Sequence, residues 1–159
     1  MSAAMHQFGA VSVYLGHQSG KYPDGNQIVV RGTDRVVAFD TPLVSRTLPG
    51  VFDDVQAVLL GHVHEDHLAG LSALPPTELW VHEGDLEAAR SWEGMTRHFG
   101  YAPEILREWR LRMEKEFFYQ ARPDAQAYAH GHVWSLGGGV RVRAHHLPGH
   151  TSGHCALLV

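Results

Sequence analysis

The chain has 159 residues, of which 44% are hydrophobic and 19% are charged, so its composition is that of an ordinary globular protein. Its formal net charge of −4 leaves no excess of Lys and Arg to follow a phosphate backbone, which argues against nucleic-acid binding. With Cys155 as its single cysteine, the chain cannot form an internal disulfide or a cysteine-based zinc cluster.

Short β-branched, apolar segments bounded by turn-forming residues predict several strands in the first part of the chain. These strands cover residues 8–16, 26–32 and 35–41. Residues 41–54 predict a turn and a short helix, and residues 55–64 predict a buried strand that leads into a group of histidines.

The next part of the chain alternates between helix and strand. A helix is predicted to begin with Asp66 as its cap and to stop at Pro75 and Pro76. Residues 77–84 then predict another strand, and residues 85–92 predict another helix.

Arginine, glutamate and aromatic residues dominate residues 95–122, which predict an amphipathic helical insertion. This insertion could form a lid over a site, or it could be a surface helix that covers one face of a sheet. Strands return over residues 127–150, with a tight turn at residues 137–139, and a last strand is predicted over residues 154–159. Strands with interspersed helices predict a single mixed α/β domain over residues 1–159.

Histidine is in clear excess. The chain contains 13 histidines, roughly three to four times the number that average usage would give a chain of this length. Because histidine is the commonest metal ligand in proteins, the excess indicates a metal site.

The pattern His-x-His-x-Asp-His at residues 62–67 directly follows a predicted strand. In an extended segment alternate side chains point the same way, so His62 and His64 can present two imidazoles to one point in space. Asp66 and His67 lie where the backbone turns, so they can face a second point. Paired metals in hydrolases lie about 3.5–4 Å apart, and the pattern therefore favours a two-metal site over a chance grouping of four ligand-type residues.

A site of this kind needs a further ligand from a distant part of the chain. Of the histidines near the C-terminus, His150 follows a tight bend at residues 148–149, which would give it a fixed place at the end of a strand. We therefore expect His150 to complete the site. His146 and His154 are expected to play a supporting or structural role, and His145 is expected on the opposite face of its strand.

The motif HVHEDH at residues 62–67, followed by PGHTSG at residues 148–153, resembles the metallo-β-lactamase superfamily, which includes glyoxalase II and lactonases. The order of the remaining motifs, such as AFDTP at residues 38–42, extends the resemblance over most of the chain. It implies an α/β fold, the αβ/βα sandwich. The chain would supply the N-terminal half of this sandwich and the first strands of its second half.

The resemblance also implies the roles of individual residues. His62, His64 and His150 would bind one metal, and Asp66 and His67 would bind a second. Asp40 would orient these ligands without binding a metal itself. An Asp that forms the turn before Thr41 and Pro42 explains this position equally well. The implied cofactor is zinc, two ions per intact domain, with iron or manganese as alternatives.

The chain departs from the family pattern at its end. Only 9 residues follow His150, whereas the family continues to a metal-bridging aspartate and a final histidine. We therefore expect an incomplete domain that leaves an apolar sheet face and an edge strand exposed. The expected partner is a second copy of the chain or a complementing C-terminal fragment.

The implied activity is the hydrolysis of a small ester, thioester, lactone or β-lactam by a metal-bound hydroxide, with Asp66 as the catalytic residue that orients it. The isolated chain is expected to bind metal weakly and to be inactive. The alternatives are iron-dependent persulfide oxidation and a non-catalytic half-domain that binds metal or oligomerises. Phosphodiester cleavage is disfavoured by the acidic charge.

Neither a secretion signal nor a membrane span is evident in the sequence. The N-terminal residues lack a basic segment followed by a long apolar run, and no later run approaches the roughly 18 apolar residues that a span requires. We therefore expect a cytoplasmic protein that binds a small-molecule substrate and contacts neither membrane nor nucleic acid.

Overall fold

The computed structural model describes residues 3–159, which form two β-sheets and one layer of helices. The strands are β1 (Met5–Phe8), β2 (Val11–Tyr14), β3 (Gln27–Arg31), β4 (Val36–Phe39), β5 (Ala57–Leu59), β6 (Glu78–His82), β7 (Gln126–Tyr128), β8 (Val133–Gly137), β9 (Val140–His146) and β10 (Cys155–Leu158). The α-helices are α1 (Glu65–Leu68), α2 (Leu86–Arg90), α3 (Trp92–Phe99) and α4 (Pro103–Glu116), and short 3₁₀ helices cover His17–Ser19, Leu43–Thr47 and Leu71–Ala73.

The larger sheet has seven strands in the sequential order β1 to β7. The first four strands pair in antiparallel fashion, whereas β4, β5, β6 and β7 run parallel to one another. Parallel neighbours need crossover connections, and helices α2 to α4 lie in the connection between β6 and β7. As a result, the carboxyl ends of β5 and β6 meet at one edge of the sheet.

The smaller sheet is antiparallel, in the order β10, β9, β8. Strands β8 and β9 are joined through three consecutive glycines, and Gly138 adopts the left-handed backbone conformation with φ of 60°. Residues with a side chain rarely adopt this conformation, so the glycines allow the tight turn that the sequence predicted.

Alternate residues of the central strands supply two hydrophobic cores. Val29, Ala38 and Val58 face the helices, where they join a core that includes Met95 and Met113. Their strand neighbours face the second sheet in a separate core that includes Val30, Val37, Leu59, Trp134, Leu136 and Val142. Because both faces of the central strands of the larger sheet are covered, the molecule has three layers there: helices, larger sheet and smaller sheet. Strand β1, at the edge of this sheet, is exposed.

Three local predictions differ from the structure. The predicted strand over residues 8–16 is a hairpin, because Gly9 turns the chain between β1 and β2. The predicted insertion over residues 95–122 contains two helices, which separate where Gly100 takes a left-handed conformation and Pro103 begins α4. Asp66 does not cap α1, since it lies inside its first turn while His64 occupies the cap position without a capping hydrogen bond.

The outward face of the smaller sheet combines polar and apolar side chains. Ser135, Arg141 and Arg143 are exposed on this face beside Val133 and Leu158. Within residues 3–159, β10 pairs only with β9, so its other edge is free. No helix in this part of the chain is long and apolar enough to cross a membrane.

Candidate metal centre

The histidine-rich segment lies at the carboxyl end of β5. It is fixed there by backbone contacts on both sides, because the N–H of Gly61 donates to Asp40 Oδ1 at 2.8 Å and its carbonyl accepts from the N–H of Cys155 at 2.8 Å. These two bonds attach the segment to the end of β4 and to the start of β10. The segment is therefore held between the two sheets.

Three histidines converge at this point. One ring nitrogen from each of His62, His64 and His150 lies within 4.8 Å of the others. Nδ1 of His64 and Nε2 of His150 are 3.0 Å apart, although the two residues are far apart in sequence. The structure thus brings together the three residues for which the sequence predicted one metal.

The arrangement fits a tetrahedral cation. Zinc–nitrogen bonds of about 2.0–2.1 Å place tetrahedral ligand atoms roughly 3.3 Å apart. The separation of 3.0 Å between His64 and His150 is close to this value, and the other nitrogens lie within 4.8 Å. Nε2 of His62 is buried and has no hydrogen-bond partner among the described residues. Since buried polar atoms normally have a partner, this orphaned nitrogen indicates that a cation belongs beside it.

The electrostatics of the cluster also favour metal binding. Burial, together with the neighbouring histidines, lowers the pKa of His62 to about 2, and burial and His150 lower the pKa of His64 to about 4. Both imidazoles are therefore neutral at physiological pH. A neutral imidazole is the form that donates a lone pair to a metal.

Asp66 and His67 form a second group beside the triad. Oδ2 of Asp66 lies 3.8 Å from Nε2 of His67, and the ring centroid of His67 is 4.0 Å from that of His62. On its other side, Nδ1 of His67 lies 2.8 Å from Asp40 Oδ2. Burial opposes the charged form of His67, but Asp40 outweighs it and raises the pKa of this imidazole.

The sequence left two interpretations of Asp40, a residue that supports the metal ligands or a residue that forms a turn. Its contact with His67 agrees with the first. Asp40 occupies Nδ1 of His67, which directs the Nε2 of the same ring toward Asp66 and the cluster. Carboxylates that fix the free nitrogen of a ligating histidine are a regular feature of metal sites. Asp40 has a left-handed backbone with φ of 51°, an unfavourable conformation that is typical of functional sites.

The other three C-terminal histidines, His145, His146 and His154, differ in their relation to the cluster. His154 lies next to it, with its ring centroid 5.2 Å from that of His62, and its Nδ1 is 3.1 Å from the carbonyl of Leu147. His146 stacks on His82 with ring centroids 4.1 Å apart. His145 is not part of the cluster.

A cavity of about 590 Å³ opens beside the triad. Its walls contain His64 and His150 together with residues from the end of α3. Phe99 stacks on the ring of His64 with an interplanar angle of 11° and centroids 5.6 Å apart. The predicted helical insertion thus contributes to the wall of the cavity, through α3.

Two residues near the site were missed in the sequence. Asp85 is 1% exposed and follows β6, and His98 at the end of α3 lies with its ring centroid 5.8 Å from that of His64. Asp85 was placed in a predicted helix and His98 in the amphipathic insertion. The available signal was topological: Asp85 follows β6, and β6 is the parallel neighbour of the strand that precedes the histidines.

Solved structures with the same fold are metallo-β-lactamases. The enzyme FEZ-1 from Legionella gormanii is 20% identical, with a TM-score of 0.69 over 94% of this chain and 54% of that chain. BJP-1, a subclass B3 metallo-β-lactamase of Bradyrhizobium japonicum, is 17% identical, with a TM-score of 0.69 over 96% of this chain and 55% of that chain. A metallo-β-lactamase family protein from Thermus thermophilus is 23% identical, with a TM-score of 0.62 over 94% and 56%.

These similarities confirm the predicted fold class. The chain has the metallo-β-lactamase fold and spans about half the length of these structures. Neither a protein-family model nor a curated protein matches the sequence. At identities below one quarter, the likeness concerns the fold, and the chemistry has to be argued from the site itself.

Proposed function

We propose that this chain provides the metal centre of a hydrolase that acts on a small ester, thioester, lactone or β-lactam. The observation that carries the proposal is the convergence of His62, His64 and His150, one ring nitrogen from each of which lies within 4.8 Å of the others. The similarity to structures described as metallo-β-lactamases supports the reaction class. Zinc suits a site made of imidazole and carboxylate ligands, although iron and manganese accept the same donors.

The residues divide into two groups. His62, His64 and His150 would hold one cation through one ring nitrogen each, and Asp66 and His67 would hold the second. When bound, such cations lower the pKa of water toward ~7 and polarise a substrate carbonyl. Asp66 would accept a hydrogen bond from water at the site and orient it, as a general base does.

The cavity beside the triad supplies the route for a substrate. Because His64 and His150 form part of its wall, a molecule in the cavity lies next to the proposed first cation. The ring of Phe99 covers one face of His64, which fixes the orientation of this imidazole and limits the access of water. A volume of about 590 Å³ accommodates a small molecule.

Metal titration followed by a hydrolysis screen tests the proposal. Zn²⁺ at 100 times its dissociation constant should stabilise the protein by about 2.7 kcal/mol, which corresponds to a rise in melting temperature of roughly 5–10 °C. His150→Ala removes one of the three ligands and should remove most of this rise, with weak residual binding through His62 and His64. His6→Gln, in the exposed strand β1, is the matched control and should retain it.

The hydrolysis screen uses chromogenic esters, thioesters, lactones and β-lactams with the zinc-loaded chain. Turnover that is lost in His150→Ala supports the hydrolase and would show that the inactivity expected of the isolated chain is wrong. Metal binding without turnover would favour the non-catalytic alternative for this chain, and the absence of any metal-dependent stabilisation would refute the metal site. Elemental analysis of the purified protein identifies the metal, and iron would direct the screen to persulfide oxidation.

A further inference from the structure

Asp85 is placed to cap a helix and does not do so. It occupies the cap position of α2, but its side chain makes no capping hydrogen bond with that helix. An Asp in this position normally stabilises the helix by about 1 kcal/mol. The structure forgoes this contribution, which indicates that the carboxylate serves another purpose.

The carboxylate instead binds the segment that follows His150. Oδ2 of Asp85 accepts a hydrogen bond from Thr151 Oγ1 at 2.7 Å, and Oδ1 accepts from the N–H of Gly153 at 2.7 Å and from Ser152 Oγ at 3.4 Å. Ser152 Oγ also donates to the carbonyl of Gly84 at 2.8 Å. The residues 151–153, directly after His150, thus bind Gly84 and Asp85, directly after β6.

The two loops also fit closely in space. A Cβ atom on Gly153 would lie 2.6 Å from Asp85 Cγ, and a Cβ atom on Gly84 would lie 2.9 Å from the carbonyl oxygen of Ser152. Neither position has room for a larger residue unless the loops separate. Asp85 and Thr151 are 1% and 6% exposed, so water does not compete for the bonds between them.

His150 is held by bonds within its own loop, such as that from the N–H of Gly149 to the carbonyl of Thr151 at 3.1 Å, and by the bonds of the following residues to Gly84 and Asp85. It is exposed and lies in a loop without regular structure, and it contacts the rings of His62, His64 and His154. One end of this loop is closed by the bond from the N–H of Leu147 to the carbonyl of His154. The bonds to Asp85 fix the residues directly after His150.

We propose that Asp85 is a positioning residue that holds His150 within reach of the cation bound by His62 and His64. The inference rests on the proposed function, because it requires that these histidines bind a metal. Its physical basis is preorganisation: without Asp85, the hydroxyl of Thr151 and the buried N–H of Gly153 lose their acceptor, and the loop that carries His150 keeps only the bond from Ser152 to Gly84 at this point. Residues that orient metal ligands in this way typically change metal affinity by about 10–100-fold when they are replaced.

The test measures Zn²⁺ and Co²⁺ affinity of the full chain by competition with a chromophoric chelator. Asp85→Ala should weaken binding by at least tenfold, and it should alter the visible absorption of the Co²⁺ form, which reports ligand geometry. Thr151→Val, which removes one bond to Asp85, should weaken binding by a smaller factor. Thr151→Ser keeps the hydroxyl and should restore affinity close to that of the unmodified chain.

A double-mutant cycle separates positioning from a general loss of stability. If Asp85 acts through His150, Asp85→Ala should have no further effect on metal affinity in a chain that already carries His150→Ala. Asp124→Asn removes the same charge at an exposed site and should leave the affinity unchanged. If Asp85→Ala does not fold, the comparison of Thr151→Val with Thr151→Ser carries the test.

The outcomes distinguish the metal site itself from the positioning role of Asp85. If the unmodified chain binds neither Zn²⁺ nor Co²⁺, the proposed function fails. If the unmodified chain binds metal and Asp85→Ala and Thr151→Val bind it equally well, the positioning role is refuted while the metal site stands. Additive losses in the double mutant would likewise show that Asp85 does not act through His150.

Discussion

Asp40 Oδ2 lies 2.8 Å from Nδ1 of His67, and the other oxygen of the same carboxylate accepts the N–H of Gly61 at 2.8 Å. The side chain of Asp40, at the end of β4, therefore contacts the histidine-rich segment both before His62 and after His64. The segment is too short to fix itself by regular structure. Its geometry depends on this carboxylate, which the neighbouring strand supplies.

Replacing Asp40 should reduce stability in a graded way. Asp40→Ala removes both contacts and places a residue with a poor left-handed preference at φ of 51°, so we expect a loss of about 2–4 kcal/mol in the free energy of unfolding. Asp40→Asn keeps one acceptor and tolerates the backbone, and should cost about 1 kcal/mol. Urea denaturation with a chelator present measures both, and equal losses in the two variants would contradict the argument.

The stability of the metal-free protein should fall as the pH is lowered from 5.5 to 4.5. In the unfolded chain His62 and His64 have ordinary pKa values near 6.5 and are protonated in this range, whereas in the folded protein their pKa values are about 2 and about 4. The unfolded state therefore binds more protons, and acid favours it, by about 1 kcal/mol per pH unit for the buried His62. The raised pKa of His67 does not oppose this trend, because His67 is charged in both states there.

Urea denaturation at several pH values, with chelator present, checks this trend. The variant His64→Gln lacks one of the two titrating groups, so its stability should depend less steeply on pH than that of the unmodified chain. Identical slopes for the two proteins would show that His64 keeps an ordinary pKa in the folded state.

The core between the two sheets should be sensitive to the loss of side-chain volume. Leu59 is fully buried there, and Leu59→Ala should cost about 2–5 kcal/mol because it leaves a cavity. Leu158 is 61% exposed on β10, and Leu158→Ala should change the free energy of unfolding by less than about 0.5 kcal/mol. A comparable loss in both variants would mean that the two leucines are packed alike, contrary to the layer arrangement.

The single cysteine should be unreactive in the folded protein. Cys155 is 5% exposed, and burial raises the pKa of its thiol, an effect that a hydrogen bond with Tyr128 partly offsets. Because the thiolate is the reactive form, we expect a disulfide reagent at pH 8 to react at least ~100-fold more slowly than in concentrated urea. Rapid reaction without denaturant would show that the edge strand opens readily.

The sequence predicted the positions of side chains correctly where neighbouring residues alone determine the direction in which a side chain points. His62 and His64 alternate directly after a buried strand, so their common direction follows from strand geometry. The prediction that His150 completes the site depended on a further signal, the bend at residues 148–149, together with the family resemblance. The fold class followed from the same motifs, and the likeness to solved metallo-β-lactamase structures confirms it.

The predictions failed where a residue's partner is distant in sequence. Asp85 has the pattern of a helix cap, and nothing nearby reveals that its carboxylate binds Thr151 instead. The start of α3 was missed for a different reason, because Ser91 caps a new helix directly after α2 with no intervening loop residues. For Asp85, the cause of the error is competition for its carboxylate by a residue that is distant in sequence.

The bond from the N–H of Cys155 to the carbonyl of Gly61 joins two points that are separated by more than half of the 159 residues. Closing so long a loop carries a large entropic cost, and contacts of this kind slow folding. During synthesis the seven-stranded sheet can form while the later residues are still being added. His62 and His64 can be joined by His150 only after the later residues have emerged, so the metal centre forms after the strands of the seven-stranded sheet are available.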